Sequence, residues 1–320
     1  MTLFAVTLDA FLQADFWIGV AVLAGTYGIF TLGLQLNVGF TGILNFGQAG
    51  FMAVGAYTMG ILVVEAGWSF WLAMPAATLV AMAAGVLIGL PSLRLRSDYF
   101  AIVTIAFAEV VRYSAQNARE LTGGNQGLLG FDDDWAAISV SMQDGLEQLG
   151  LGQYFLLPLA IVTWVVFLVL LFALRRMTHS PWGRVLRAIR EDEDAAAALG
   201  KNPLSYKLQS LAIAAALGSI AGYFLALNLS YINPNQFETL FTFIGYAILV
   251  LGGLASYVGV ALGAIVLWAL LEATRFLDLP LAAEQVAALR FMLVGLALIL
   301  LMAFRPQGAL GKREEMVLGD

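Results

Sequence analysis

The chain has 320 residues, 61% hydrophobic and only 12% charged, with a formal net charge of −6 and a mean hydropathy of +0.85. Soluble domains carry roughly 45–50% apolar residues, so a water-soluble globular fold is excluded. The absence of cysteine removes disulfide frameworks, thiolate catalysis and cysteine metal clusters, and leaves no metal site to expect. The negative charge, with basic residues scattered along the chain, excludes nucleic acid as a partner.

A helix needs about 20 apolar residues to cross the hydrocarbon core of a bilayer. Long apolar runs predict spans near 17–36, 43–63, 69–92, 98–117, 153–174, 208–229, 237–252, 256–277 and 288–304. The expected architecture is all-α, a polytopic transmembrane helix bundle forming one domain over residues 1–320, with about 8 to 10 spans. No basic residue precedes Arg94, so the first apolar run lacks the positive flank of a cleavable signal and is expected to remain a span. The runs at 43–63 and 237–252 are glycine-rich or short, and each is either a full span or a broken or re-entrant element. Gly85/Gly89, Gly218/Gly222 and Gly259/Gly263 each place two glycines on one helix face, which predicts close helix packing.

Basic loops are retained on the cytoplasmic side of a membrane. Arg94 and Arg96, then Arg175, Arg176, Arg184, Arg187, Arg190, Lys201 and Lys207, then Arg305, Lys312 and Arg313 all fall on one side of the predicted bundle. The opposite loops hold Arg119 among Glu120, Asp132, Asp133, Asp134, Asp144 and Glu147. This asymmetry predicts a multi-pass protein of a bacterial plasma (inner) membrane with a cytoplasmic C-terminus. The N-terminus is then outside if nine segments cross.

The segment 118–152 is expected as an external loop, and within it the run Thr122–Gly127, containing Asn125 and Gln126, as a flexible turn. The cytoplasmic loop 175–207 carries two helix signatures. After Pro181 and Gly183, Arg184, Arg187 and Arg190 share one helical face and Val185, Leu186 and Ile189 the other, the pattern of a helix lying on a membrane surface. Next, Glu191, Asp192, Glu193 and Asp194 precede Ala195, Ala196, Ala197 and Ala198, and Leu199, Gly200, Lys201 and Pro203 follow. An acidic start, a basic end and a glycine stop define a short capped helix. Read from the residues alone, it is either an ordinary solvated helix or one that docks in a groove of another protein.

Polar groups inside spans narrow the candidates. Asn45, Gln48, Tyr57 and Thr58 interrupt an apolar run, as residues lining a route for a zwitterionic solute do, and equally as interhelical hydrogen-bonding residues do. Asn125 and Gln126 add exposed donors in the external turn, where they are further candidates for the route or serve turn geometry alone. Glu109 and Arg112, three residues apart on one helix face, are expected to neutralise each other as a structural ion pair. An ion-coupled secondary transporter using Glu109 as its proton or sodium site is the competing reading of that carboxylate.

The loop EDEDAAAALGKN resembles the coupling segment of ABC-importer permeases. The runs GFTGILNFGQAGFMAVGAYTMGIL, LRLRSDYFAIVTIAFAEVVRYSAQNARELTGGNQGL, PWGRVLRAIREDEDAAAALG, VLGGLASYVGVALGA and FRPQGALG resemble, in that order, the branched-chain amino acid permease family, and most of all its M-type branch. The likeness extends from about residue 36 to 311. It implies a permease for leucine, isoleucine and valine, with urea or other neutral amino acids as alternative cargo. It also implies a second H-type permease subunit, two ABC ATPase subunits holding the ATP and magnesium, and an external solute-binding protein. The segment Glu191–Gly200 would then couple the spans to the ATPases. No phosphate loop of the form GxxxxGK followed by Ser or Thr is present, and His179 is the sole histidine, so no catalytic residue and no bound cofactor are expected in this chain.

Overall fold

The structure is a computed structural model describing residues 13–274 and isolated helical positions between Gln285 and Ile299. Apart from those positions, the expected ninth span and the basic tail lie outside the described residues. Helix α1 (Ala14–Leu34) continues without interruption into a π-helical turn, Gln35–Thr41. It is followed by α2 (Gln48–Val64), α3 (Phe70–Ser92) and α4 (Ser97–Asn117). Then come α5 (Asp133–Glu147), α6 (Leu157–Thr178), α7 (Pro181–Glu191) and α8 (Glu193–Ala198). The long α9 (Pro203–Leu229), α10 (Leu240–Gly252) and α11 (Tyr257–Ala273) complete the described bundle. No strand occurs among the described residues, only an isolated bridge between Leu128 and Ile232.

Helices α1 and α9 form the interior. Helix α9 packs against α1, α2 and α3, and α1 also packs against α6 and α11. Small residues let these backbones approach. On α3, Ala73, Ala77, Ala81, Gly85 and Gly89 recur every fourth position and are buried, while Trp71, Leu72, Leu79, Val80, Leu87 and Leu90 are exposed. One helix thus presents a small-residue stripe to α9 and bulky apolar residues outward, the inverse of a soluble helix. A Cβ on Gly222 would sit 2.3 Å from the Met52 carbonyl oxygen, and one on Gly263 2.4 Å from that of Ile248, so these glycines serve packing within the chain.

Helices α1 with its π turn, α3, α6 and α9 are each long and apolar enough to cross a membrane, and α10 with α11 would make a fifth such segment. Two further expected crossings fall on helices that are shorter or more polar than these. Helix α2 has 17 residues, and α4 carries Asp98, Glu109 and Arg112. The two segments flagged as glycine-rich or short are where the backbone departs most from a plain span. Helix α2 starts inside the bundle, because Gln48 reaches the carbonyl of Ala214, midway along α9, and residues 42–47 run to it without helix. At the second, α10 and α11 are bent by 117° about the break at 253–256.

The bundle has two chemically different ends. At one, Arg94, Arg96, Arg190, Glu193 and Lys207 converge beside Thr41 and Gly42. At the other, residues 118–152 are not a loop throughout. They hold a helical turn, Arg119–Thr122, and the amphipathic α5, with Trp135 and Ser139 buried. Asp134 accepts a hydrogen bond from the backbone N–H of Phe70 at 3.1 Å, pinning α5 to the start of α3.

Candidate functional site

Helix α7 is built to sit across the basic end of the bundle. Pro181 occupies the first helical turn, where its missing N–H costs nothing. Gly183 lies so close to Thr178 that a Cβ would meet its Cα at 2.4 Å, and Leu186 and Ile189 are buried. The three arginines expected to share one helical face divide between two environments. Arg184 is exposed, whereas Arg187 donates to the Thr178 carbonyl at 3.0 Å and Arg190 donates to the Gly39 carbonyl. The physical reason lies in helix ends, which leave carbonyls unsatisfied, and a long guanidinium stem can turn back to reach them. Arg187 also stands over the Phe40 ring, 5.5 Å from its centroid. Two charges therefore grip the π turn and the end of α6.

Asp192, in extended geometry, separates α7 from α8 and caps the latter, its carboxylate accepting the Ala195 N–H at 2.9 Å. At the other end Gly200 takes φ +78°, and the N–H groups of Gly200 and Lys201 reach the carbonyls of Ala197 and Ala196 at 2.9 and 3.2 Å. An α-left glycine closing such bonds is the physical stop read in the sequence. Glu193 is ion-paired with Lys207, tying α8 to the base of α9. Only Ala196 of this helix is buried. Glu191, Asp194, Ala195, Ala197 and Ala198 are exposed, and Leu199 at the tip is 81% exposed. Helix α8 is thus a short, smooth projection on a rigid mount.

Of the four polar candidates of the second segment, Asn45 and Gln48 bond to each other at the start of α2, and Tyr57 and Thr58 lie further along that helix. Asn45 and Gln48 are fully buried. The Asn45 amide donates to the Gln48 side-chain oxygen at 3.0 Å, and its own oxygen accepts the Gly47 N–H at 2.9 Å. Gln48 donates to the carbonyls of Ala214 and Phe30 at 2.8 and 3.4 Å. These bonds knit α1, α2 and α9. Tyr57 is buried against Phe237, with ring centroids 5.9 Å apart, while Thr58 is half-buried.

Asn125 and Gln126 are exposed at the opposite end, in a 3-10 turn flanked by Gly123 at φ +69° and Gly127 at φ +84°. The turn expected to be flexible is braced. The Asn125 carbonyl accepts from the Asn233 amide at 2.8 Å, and Leu128 pairs its backbone with Ile232.

On α4, Arg112 donates to Glu109 from Nε at 2.9 Å and from Nη2 at 2.7 Å. The other Glu109 oxygen accepts from the Thr239 hydroxyl at 2.8 Å. Their side chains are 13% (Arg112) and 31% (Glu109) exposed, so the pair reaches the outer surface of the bundle.

The residues that sequence reasoning missed are those whose partners are distant in the chain. With its amide assigned oxygen-first toward the α10–α11 break, the orientation that satisfies its neighbours, Gln35 accepts the N–H groups of Ala255 and Ser256 at 2.6 Å each. A glutamine in an apolar run was its sole visible signal. The π turn had none.

A bundle of apolar helices, a capped projection at its basic end and broken segments inside it constitute the architecture to be compared with known proteins. The branched-chain amino acid transport system permease component family matches residues 16–303. The chain belongs to this family. LivM of Escherichia coli K12, a high-affinity branched-chain amino acid transport system permease protein, is 36% identical over 305 residues, covering 92% of this chain and 69% of that relative. A probable branched-chain amino acid transport permease LivM from Methanocaldococcus jannaschii is 28% identical, covering 90% of this chain and 91% of the relative. The E. coli K12 LivH permease is 25% identical, covering 91% and 93%. No solved structure matches. The relatives are named as transport permeases, and this chain, with several helices long and apolar enough to cross a membrane, is more similar to the M type than to the H type.

Proposed function

We propose that this chain is the non-catalytic, M-type permease subunit of an ATP-driven importer of branched-chain amino acids, with its basic end in the cytoplasm of a bacterial inner membrane. The observation that carries the reading is α8, a six-residue helix capped at both ends and ion-paired at its base, whose surface beyond its acidic first turn is exposed alanine, ending in the exposed Leu199. Such a surface fits a groove in a partner ATPase, where ATP and magnesium are held. Movement of α8 would pass rigidly through Glu193–Lys207 into α9, and through Arg190 into the π turn of α1. Gln35 then relays it to the α10–α11 break. Helix ends and π turns absorb backbone rearrangement more readily than regular helix.

The outward face of α4 suits the seam with an H-type permease. It exposes Tyr99, Ile102, Val110 and Tyr113 beside the Glu109–Arg112 pair. Charges within spans face protein or water-filled cavities in preference to lipid, and a solute route between two permeases supplies both. In this arrangement Asn45 and Gln48 hold the wall of the route from behind, and an external binding protein delivers the solute near Asn125 and Gln126. The relatives' names supply leucine, isoleucine and valine as cargo, with urea and other neutral amino acids as the alternative.

The test is uptake of labelled leucine by cells carrying this chain and its partner subunits. Competition by isoleucine and valine but not by urea or polar amino acids is expected. Absent leucine uptake, with urea carried instead, would overturn the cargo assignment.

A further inference from the structure

A cavity of about 270 Å³ opens at the basic end between α6, α7 and α11, lined by Arg175, His179, Arg187, Ser256, Tyr257 and Phe40 among others. Three nitrogen bases enter its wall and no carboxylate does, among the described residues. Its geometry is organised. Phe40 stacks on Tyr257 with ring centroids 5.4 Å apart and planes at 16°, and the Tyr257 hydroxyl donates to Thr178 Oγ1 at 3.1 Å. Arg187 is fixed over Phe40 by its bond to Thr178, while its Nε is buried without a partner. His179 bonds through Nδ1 to the Arg175 carbonyl at 2.7 Å, which leaves Nε2 on the far side of the ring. Helix α11 begins at Tyr257 in the cavity wall, so the positive end of its dipole lies there.

The surroundings identify the anion. A second hollow of about 490 Å³ shares Arg175 and His179 and adds Phe172, Arg176 and Ser180. Above it, Leu168, Val169 and Phe172 of α6 are exposed, and Val258, Leu262 and Val266 of α11 are exposed on the other flank. Helix α1 packs against both α6 and α11. A phosphate held at the level where the basic loop meets the apolar bundle would carry its acyl chains along that surface.

We infer that this cavity binds the phosphate headgroup of an anionic phospholipid of the cytoplasmic leaflet. The inference rests on the proposed orientation of the basic end, and on nothing concerning the cargo. A bound headgroup would brace Arg187 and Tyr257, and with them the hinge between α7, the π turn and α11. Basic pockets between helices on the cytoplasmic side suit such headgroups, each cation near the surface strengthening binding by about five-fold.

The full chain, assembled with its partner subunits in lipid nanodiscs, is compared by native mass spectrometry for retention of phosphatidylglycerol and phosphatidylcholine. The exposed pair Arg175→Gln with His179→Gln removes two lining groups, and the exposed Arg184→Gln serves as a charge control outside both hollows. Preferential retention of phosphatidylglycerol, lost by about five-fold or more in the double variant and kept in the control, is expected. Equal retention of both lipids, or a preference that survives the double variant, would overturn the inference. Displacement by inorganic phosphate as readily as by phosphatidylglycerol would assign the cavity to a free anion and overturn the lipid assignment. Leucine uptake measured alongside separates failure of this site from failure of the transport reading.

Discussion

Arg190 of α7 donates a hydrogen bond to the backbone carbonyl of Gly39, 151 residues earlier in the chain and inside the π turn of α1. An amphipathic helix at the basic end is thereby fastened to the least regular turn of a central helix. Arg190→Met keeps the stem and removes the bond, and a charge-assisted hydrogen bond of this kind contributes about 1.5–3 kcal/mol. The account expects expression and ATP hydrolysis to persist while leucine uptake falls at least about ten-fold. Unchanged uptake in reconstituted vesicles would show that the link transmits nothing.

The Glu109–Arg112 pair should behave as a unit. Removing one partner leaves the other charge within the helix unpaired, whereas removing both leaves no charge there. Arg112→Met should lower stability by about 2 kcal/mol or more, and the double variant with Glu109→Gln should recover part of that loss. Thermal unfolding in detergent measures both. A double variant less stable than either single one contradicts the pairing argument.

Asp192→Ala removes the cap of α8, whose loss costs about 1 kcal/mol of helix stability. Because the helix has six residues, that is enough to fray it. Partial uncoupling follows, with ATP hydrolysis retained and uptake reduced several-fold. Asp192→Asn, which keeps an acceptor, should restore most of the uptake.

Glycine positions separate packing from mere flexibility. Gly222→Ala drives a methyl to 2.3 Å from a backbone oxygen of α2, an overpacking that costs about 1–3 kcal/mol or more, so yield of folded protein should drop sharply. At Gly145 in α5 nothing lies within 4 Å of an added Cβ, and alanine there should raise helix stability by up to about 1 kcal/mol. Equal thermal stability of the two variants would refute the contact argument.

How far these features were readable follows from the range of the interactions that make them. Helix α8 was legible as an acidic start with a glycine stop, because Gly200 and the acids act on neighbours within a few residues, whereas the placing of Glu191 in α7 and of the cap at Asp192 was not. The spans α3, α6 and α9 follow from local hydrophobicity, and glycine content and short length marked the two irregular segments. Helix α5 was missed because its apolar residues, Trp135, Ile138, Met142 and Leu146, are spaced for a helix but diluted by acid and serine. The π turn, the inward reach of Arg187 and Arg190, and the Asn45–Gln48 network depend on which carbonyls tertiary packing leaves open. No periodicity encodes that, so a polar residue in a span read alone cannot be divided between route and scaffold.

The most direct test of the central claim is ATP-driven leucine uptake by the reconstituted complex carrying Ala197→Pro, in which α8 loses a backbone N–H and cannot keep its form. The account predicts normal assembly and continued ATP hydrolysis with uptake abolished. Undiminished uptake would contradict the role of α8 as the lever between ATPase and membrane bundle.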